Sequence, residues 1–184
     1  MFEKYLIEHC SPTLASIKTA NLFSYTFGKD SSPESSIEFW NKCMSEKGIE
    51  LILLRKRDNR ALIYVCRRKK LCEDLSKDGV AEFLREFGYC STDADYSINK
   101  LKTRISESFD FPHEIGVFLG YPLDDVKGFI ENAGANSKCT GCWKVYCNEC
   151  EAVKIFEKYK KCREVYSRLW HSGARNILEL TVAA

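Results

Sequence analysis

Apolar residues recur in this chain with two periods, and the switches between them divide it into elements. In HCSPTL, Ser11 is placed to N-cap a helix whose first position is Pro12, with Leu14, Ile17 and Lys18 following on a helical period. Residues 28–36, GKDSSPESS, read as a loop closing in a second capped start. The stripe Ile37, Trp40, Cys43 and Met44 then runs to a stop at Gly48. Residues 49–57 and 61–67 are rich in branched and aromatic side chains and flank Asp58-Asn59-Arg60, which predicts a β-hairpin. Helical spacing returns at Val80, Phe83, Leu84 and Phe87 with Gly88 as stop, and again over 94–108. Pro112 and Pro122 each open a short helix, the first ending at Gly120. Trp143–Tyr146 has strand composition. Residues 150–170 place Ala152, Ile155, Phe156, Tyr159, Cys162, Tyr166 and Leu169 on one face of the longest helix.

The sum is an α+β fold: a small antiparallel sheet, made of the hairpin and a candidate third strand, covered by about six helices. At 184 residues with a 45% hydrophobic fraction, the chain is expected to form a single globular domain over 1–184. A net charge of +2 gives no general attraction to nucleic acid or to an anionic membrane. The basic runs Arg55, Lys56, Arg57, Arg60 and Arg67, Arg68, Lys69, Lys70 read as solvated strand ends, and no RNA or DNA motif accompanies them. No apolar run approaches the ~20 residues a membrane span requires. MFEKYLIEHC has no basic leader or cleavage site, so a cytoplasmic location is expected. There, ten cysteines are expected to be thiols or metal ligands rather than disulfides.

Four of those cysteines crowd into CTGCWKVYCNEC: Cys139, Cys142, Cys147 and Cys150. Thiolates in two C-x-x-C pairs suit Zn²⁺ or an iron–sulfur cluster. An extended WKVY works against one shared ion, because five strand steps from Cys142 to Cys147 span roughly 16 Å. One four-sulfur site therefore requires WKVY to fold back tightly; a strand leaves the pairs separate. Both readings stand at this point.

HCSPTL with Lys18, the hairpin around RDNRA, FPHEIGVFLGYPLDDVKGFI and WKVY together resemble a bacterial family, the domain-of-unknown-function family 3793, found largely in anaerobic Firmicutes. The resemblance covers most of the chain and implies no particular reaction. It directs attention to His9, Cys10, Lys18, His113 and Glu114. A helix start just after Cys10 would favour its thiolate. His113 is the better-placed base, because His9 as an immediate neighbour points elsewhere, and Glu114 is the candidate orienter. Lys18 is the candidate holder of an anionic ligand. Asp124 and Asp125, in the first turn after Pro122, read as stabilising rather than catalytic.

These residues favour a small-molecule-binding protein or thiol-dependent enzyme with a Cys/His site. The alternatives are a zinc or iron–sulfur protein built on the C-x-x-C pairs and a non-catalytic interaction module. Neither substrate nor oligomeric state is specified by these patterns.

Overall fold

The computed structural model describes residues 2–28, 31–107 and 110–183. Two parts of the predicted elements, residues 29–30 of the first loop and residue 108 at the end of the helix expected over 94–108, lie outside the described residues. The order is α1 (Phe2–Leu14), β1 (Ala20–Thr26), α2 (Pro33–Met44), β2 (Ile49–Arg57), β3 (Arg60–Arg67), α3 (Arg68–Leu75), α4 (Val80–Glu86) and α5 (Ala94–Glu107). There follow α6 (Ile115–Phe118), α7 (Leu123–Glu131), β4 (Cys139–Thr140), β5 (Lys144–Val145), α8 (Glu149–His171) and α9 (Ile177–Leu180).

The expected hairpin forms between β2 and β3, turning through Asp58, whose φ of 50° is the left-handed geometry that Asp tolerates. The third strand is β1, and the sheet is antiparallel in the order β1-β3-β2. The segment expected as third strand supplies only β5, which pairs with β4 in a separate ribbon, Cys139 opposite Val145 and Thr140 opposite Lys144. An α+β fold results, with helices on both faces of the sheet.

Alternation along the central strand β3 explains this layering. Tyr64 and Cys66 point to one face with Ala20 and Ile52, and meet residues of α3 to α7. Ile63 and Val65 point to the other with Phe23, Tyr25 and Leu51, and meet α1, α2 and α9. Tyr166, Leu169 and Trp170 of α8 pack against this second cluster. Each fully buried aliphatic side chain contributes roughly 1.5–3 kcal/mol through loss of contact with water. Both faces of the sheet are thereby covered.

The largest correction concerns the first helix. Ser11 and Pro12 do not begin it; they lie in its last turns. The apolar set Phe2, Leu6, Ile7, Cys10 and Leu14 is buried along one side. Pro12 removes the bond that would reach the carbonyl of Glu8, a residue on the exposed side where water can replace it. Ser11 spends its hydroxyl on the Ile7 carbonyl within the helix rather than on a cap. The chain then breaks at Ser16, φ 57°, and the N–H groups of Ile17 and Lys18 both donate to the Pro12 carbonyl, at 3.0 and 3.1 Å. Lys18 thus stands in the connection to β1, not on a helix.

Ser32 N-caps α2 with Pro33 as its first residue, and Asn148 caps α8. Four elements went unpredicted besides β1. They are the N-terminal part of α1, the two-residue β4, the short α9, and α3, whose start at Arg68 absorbs the second basic run.

Candidate functional site

Lys18 is held in place from three sides. Arg67, fully enclosed, donates to the carbonyls of Thr13 and Leu14 at 2.7 Å each, to Val182 at 2.7 Å and to Lys47 at 3.1 Å. It thereby satisfies the open C-terminal end of α1, from which the Lys18 turn departs. Next to Lys18, the Thr19 hydroxyl donates to Asp74 at 2.5 Å, and Asp74 also takes a 2.5 Å ion pair from Lys77. Gly120 passes so close that a Cβ there would lie 2.6 Å from the Thr19 hydroxyl, and its φ of 74° also favours glycine. Asn21, one position into β1, accepts from Thr13 at 2.8 Å.

With its backbone fixed, Lys18 is only 6% exposed, yet Nζ has no hydrogen bond or ion pair among the described residues. It lies 5.2 Å from the centre of the Tyr121 ring. Burial pulls its pKa from the ordinary 10.5 to about 8, against the opposing pull of Cys142 and Cys10, while Arg163 pushes the same way as burial. Lys18 borders a cleft of about 510 Å³. Tyr121 and Cys142 form one side of this cleft; Phe156, Tyr159, Lys160 and Arg163 of α8 form another. Phe156, Lys160 and Arg163 follow i, i+4, i+7 spacing, so they share a helix face. Neither Lys160 nor Arg163 has an ion-pair partner among the described residues. Glu157 is the one carboxylate lining the cleft against three cationic side chains.

The β4–β5 ribbon makes the far wall. Asp125, in the first turn of α7, anchors it: one carboxylate oxygen accepts from the N–H groups of Tyr146 (2.7 Å) and Cys147 (2.9 Å), the other from Trp143 Nε1 (2.7 Å). Burial alone would raise the Asp125 carboxyl, but these hydrogen bonds outweigh it and hold the group below its usual value. Trp143 stacks on Tyr121 with ring centres 4.9 Å apart and meets Phe156 edge-on at 4.6 Å. The Tyr121 hydroxyl donates to the Cys142 carbonyl at 3.2 Å. Gly141 lies directly under Phe156, where any Cβ would collide with the ring. A smaller cavity of about 270 Å³ lies across this wall, sharing Tyr121 and Gly141 and lined also by His113, Phe129 and Val126.

The predicted Cys/His constellation is not assembled. Cys10 lies inside α1, wholly buried in the apolar cluster, and burial raises its thiol far above the usual range despite the nearby Lys18 charge. The helix-start argument for a thiolate therefore fails. His9 is exposed and stacks on Phe23 at 5.6 Å. His113 packs against Phe129 at 4.9 Å in the smaller cavity. Glu114 does not orient it: this buried carboxylate pairs with Arg104 and accepts from Tyr89 at 3.2 Å.

The four cysteines are not gathered either. The turn falls inside the first C-x-x-C, with Cys139 on β4 and Cys142 in the tip, while Cys150 starts α8. The Cys147 thiol donates to Asp125 at 3.1 Å, and burial followed by that hydrogen bond raises its pKa, which favours the thiol over the thiolate a metal needs. Among the described residues, no three His, Cys, Asp or Glu side chains are grouped to hold one ion, and all ten cysteines are free thiols.

Of the predicted residues, Lys18 and Cys142 meet at one site. Sequence reading missed Tyr121, Tyr159 and Arg163 as their company. The signal available was the aromatic-to-basic i, i+4, i+7 run on α8, which an apolar-face reading passes over.

Among the described residues no helix is long and apolar enough to cross a membrane. No curated protein and no solved structure matches the chain. The model of one family, described as a protein of unknown function, DUF3793, matches residues 6–181, and the chain belongs to that family.

Proposed function

We propose that this protein binds a small anionic ligand carrying a flat ring, in the cleft between Lys18 and α8. The observation that carries this reading is the largely buried Lys18 side chain, whose ammonium opens onto the cleft with no partner among the described residues. Desolvating a cation is costly unless an opposite charge compensates, and the described residues place none against Nζ. A ligand carboxylate or phosphate would supply it. Arg163 offers a planar fork for the same anion, and Lys160 adds a more exposed charge. Tyr121, Tyr159 and Phe156 give apolar area for a ring.

The thiol-dependent version of the reading loses its support with the burial of Cys10. Small-molecule binding retains its support through Lys18.

Phenyl phosphate, a flat ring with a dianion, is the simplest probe. Calorimetric titration at pH 7 should give saturable one-to-one binding. Lys18→Met and Arg163→Gln should each weaken it about tenfold, the worth of one charge-assisted contact at ~1.4 kcal/mol. Affinity should fall as pH rises through 8, where Lys18 loses its proton. Equal affinity in wild type and both variants would refute the assignment.

A further inference from the structure

Binding alone leaves one property of the site unused: a lysine amine that faces a ligand cleft with no acceptor to hold its proton. We propose that Lys18 is a nucleophile that forms an imine with an aldehyde or ketone bearing a carboxylate or phosphate. This rests on the reading of the cleft as an anion site, and assigns the ligand a carbonyl group.

The geometry separates the two tasks. Arg163 and Lys160 lie on one face of α8 and can keep the anionic end once Lys18 has given up its proton, leaving the neutral Lys18 amine, in the connection to β1, to reach the carbonyl end. Lys18 has little freedom to turn away, because its neighbours on both sides in sequence are tied: Ile17 to Pro12, and Thr19 to Asp74 and the close backbone of Gly120. The Tyr121 ring beside Nζ excludes water from one side.

In the reaction, the neutral Nζ lone pair adds to the carbonyl carbon and the C=O π pair moves to oxygen, giving a carbinolamine after proton transfer. Loss of that oxygen with two hydrogens from Nζ gives the imine and one water. No oxidant or metal is needed.

The surroundings favour the neutral amine. The charged and titratable groups facing Lys18 are Cys10 from α1, Cys142 from the ribbon, Tyr121 after α6, and Glu157, Tyr159, Lys160 and Arg163 from α8. Burial and Arg163 bring Lys18 to about 8. At pH 8 about half of such amines are neutral, against under about 1% of ordinary lysines.

The test is reductive trapping of the full chain with pyridoxal 5′-phosphate, used as a flat aldehyde phosphate probe, at limiting concentration with borohydride and peptide mapping. Lys18 should be labelled at least tenfold faster than the exposed Lys4, Lys42 and Lys154. Labelling should quicken from pH 7 to pH 9 while phenyl phosphate binding weakens. Excess phenyl phosphate should protect Lys18 and leave the exposed lysines unchanged. Arg163→Gln, which keeps the amine, should slow Lys18 labelling at low probe and recover it at high probe.

Should phenyl phosphate bind while Lys18 labels no faster than surface lysines, the imine is overturned and the anion site stands. Lack of phenyl phosphate binding together with unselective labelling overturns both.

Discussion

Arg67 and Lys18 are both cationic and both largely buried, at 2% and 6% exposure; Lys18 lies in the turn after α1, and Arg67 holds the carbonyls from which that turn departs. Arg67 gives its donors to four backbone carbonyls; Lys18 gives its own to none of the described residues. The first is what a fold does with a charge it needs for itself: the fork closes the end of α1 and binds residues 47 and 182 to it. The second is a cost with no internal return, placed at the wall of a cleft. The contrast separates a charge the fold uses from one it leaves unpaired more sharply than burial does.

The sharpest way to break the comparison is to remove the satisfied cation. Arg67→Met should lower unfolding free energy by about 3–5 kcal/mol in a urea titration, because four carbonyls lose their donor in a closed space. A loss under ~1 kcal/mol would mean water replaces the fork and the contrast is false. Glu114, an enclosed anion paired with Arg104, extends the comparison to the other charge. Arg104→Met should cost about 3 kcal/mol by leaving the buried carboxylate with no counter-charge and only the Tyr89 hydroxyl.

Removing the unsatisfied cation should do the opposite. Lys18→Met is expected to raise stability at pH 7 by on the order of 3 kcal/mol, from the lowering of the lysine from 10.5 to about 8. The sign follows from proton counting. Between pH 8 and 10.5 the unfolded lysine keeps a proton the folded one has shed, so the wild type gains stability with rising pH and the gap to the variant closes. Cys66, raised by burial, weakens both proteins alike above pH 9 and cancels in the difference. Denaturant midpoints of the pair across pH 7 to 10.5 check this; a gap that widens would reverse the argument.

The smallest effect concerns the cleft wall. Tyr121→Phe keeps the ring beside Lys18 and removes one hydrogen bond to the Cys142 carbonyl. It should cost about 0.5–1.5 kcal/mol in stability and leave the pH at which phenyl phosphate binding falls unchanged. A shifted pH midpoint would give the hydroxyl a direct part in setting the Lys18 charge.

Much of the scaffold was written in local patterns. The hairpin followed from branched residues on either side of Asp58-Asn59, and α2 from the capped start closing 28–36 and its stripe to Met44, although the helix opens earlier, at Pro33 within the expected loop. The reading failed where one signal served two ends of a helix. Ser11-Pro12 is good chemistry for a start, but the stripe Phe2, Leu6, Ile7, Cys10, Leu14 was already running, and tertiary burial of that stripe overrides the local cue. Moving the helix end moved everything argued from it: Cys10 went from a helix mouth into the core, and Lys18 from a helix face to a sheet edge. β1, ANLFSYT, alternates only weakly, and its strand state is supplied by β3. The companions of Lys18 come from residues 121, 142 and 156–163, a juxtaposition that no local period carries.

The Arg67 fork also bears on the order in which the protein is made. It joins carbonyls of residues 13 and 14 to that of residue 182, and the Val182 N–H returns a bond to Leu14 at 3.0 Å. A chain emerging from the ribosome N-terminus first can pair its hairpin early, but α1 waits for α9 before its last turn is closed. Until then the turn carrying Lys18 lacks one of its anchors. The cleft is therefore among the last features to mature, and a nascent chain stalled before residue 177 should hold a sheet without a completed Lys18 turn.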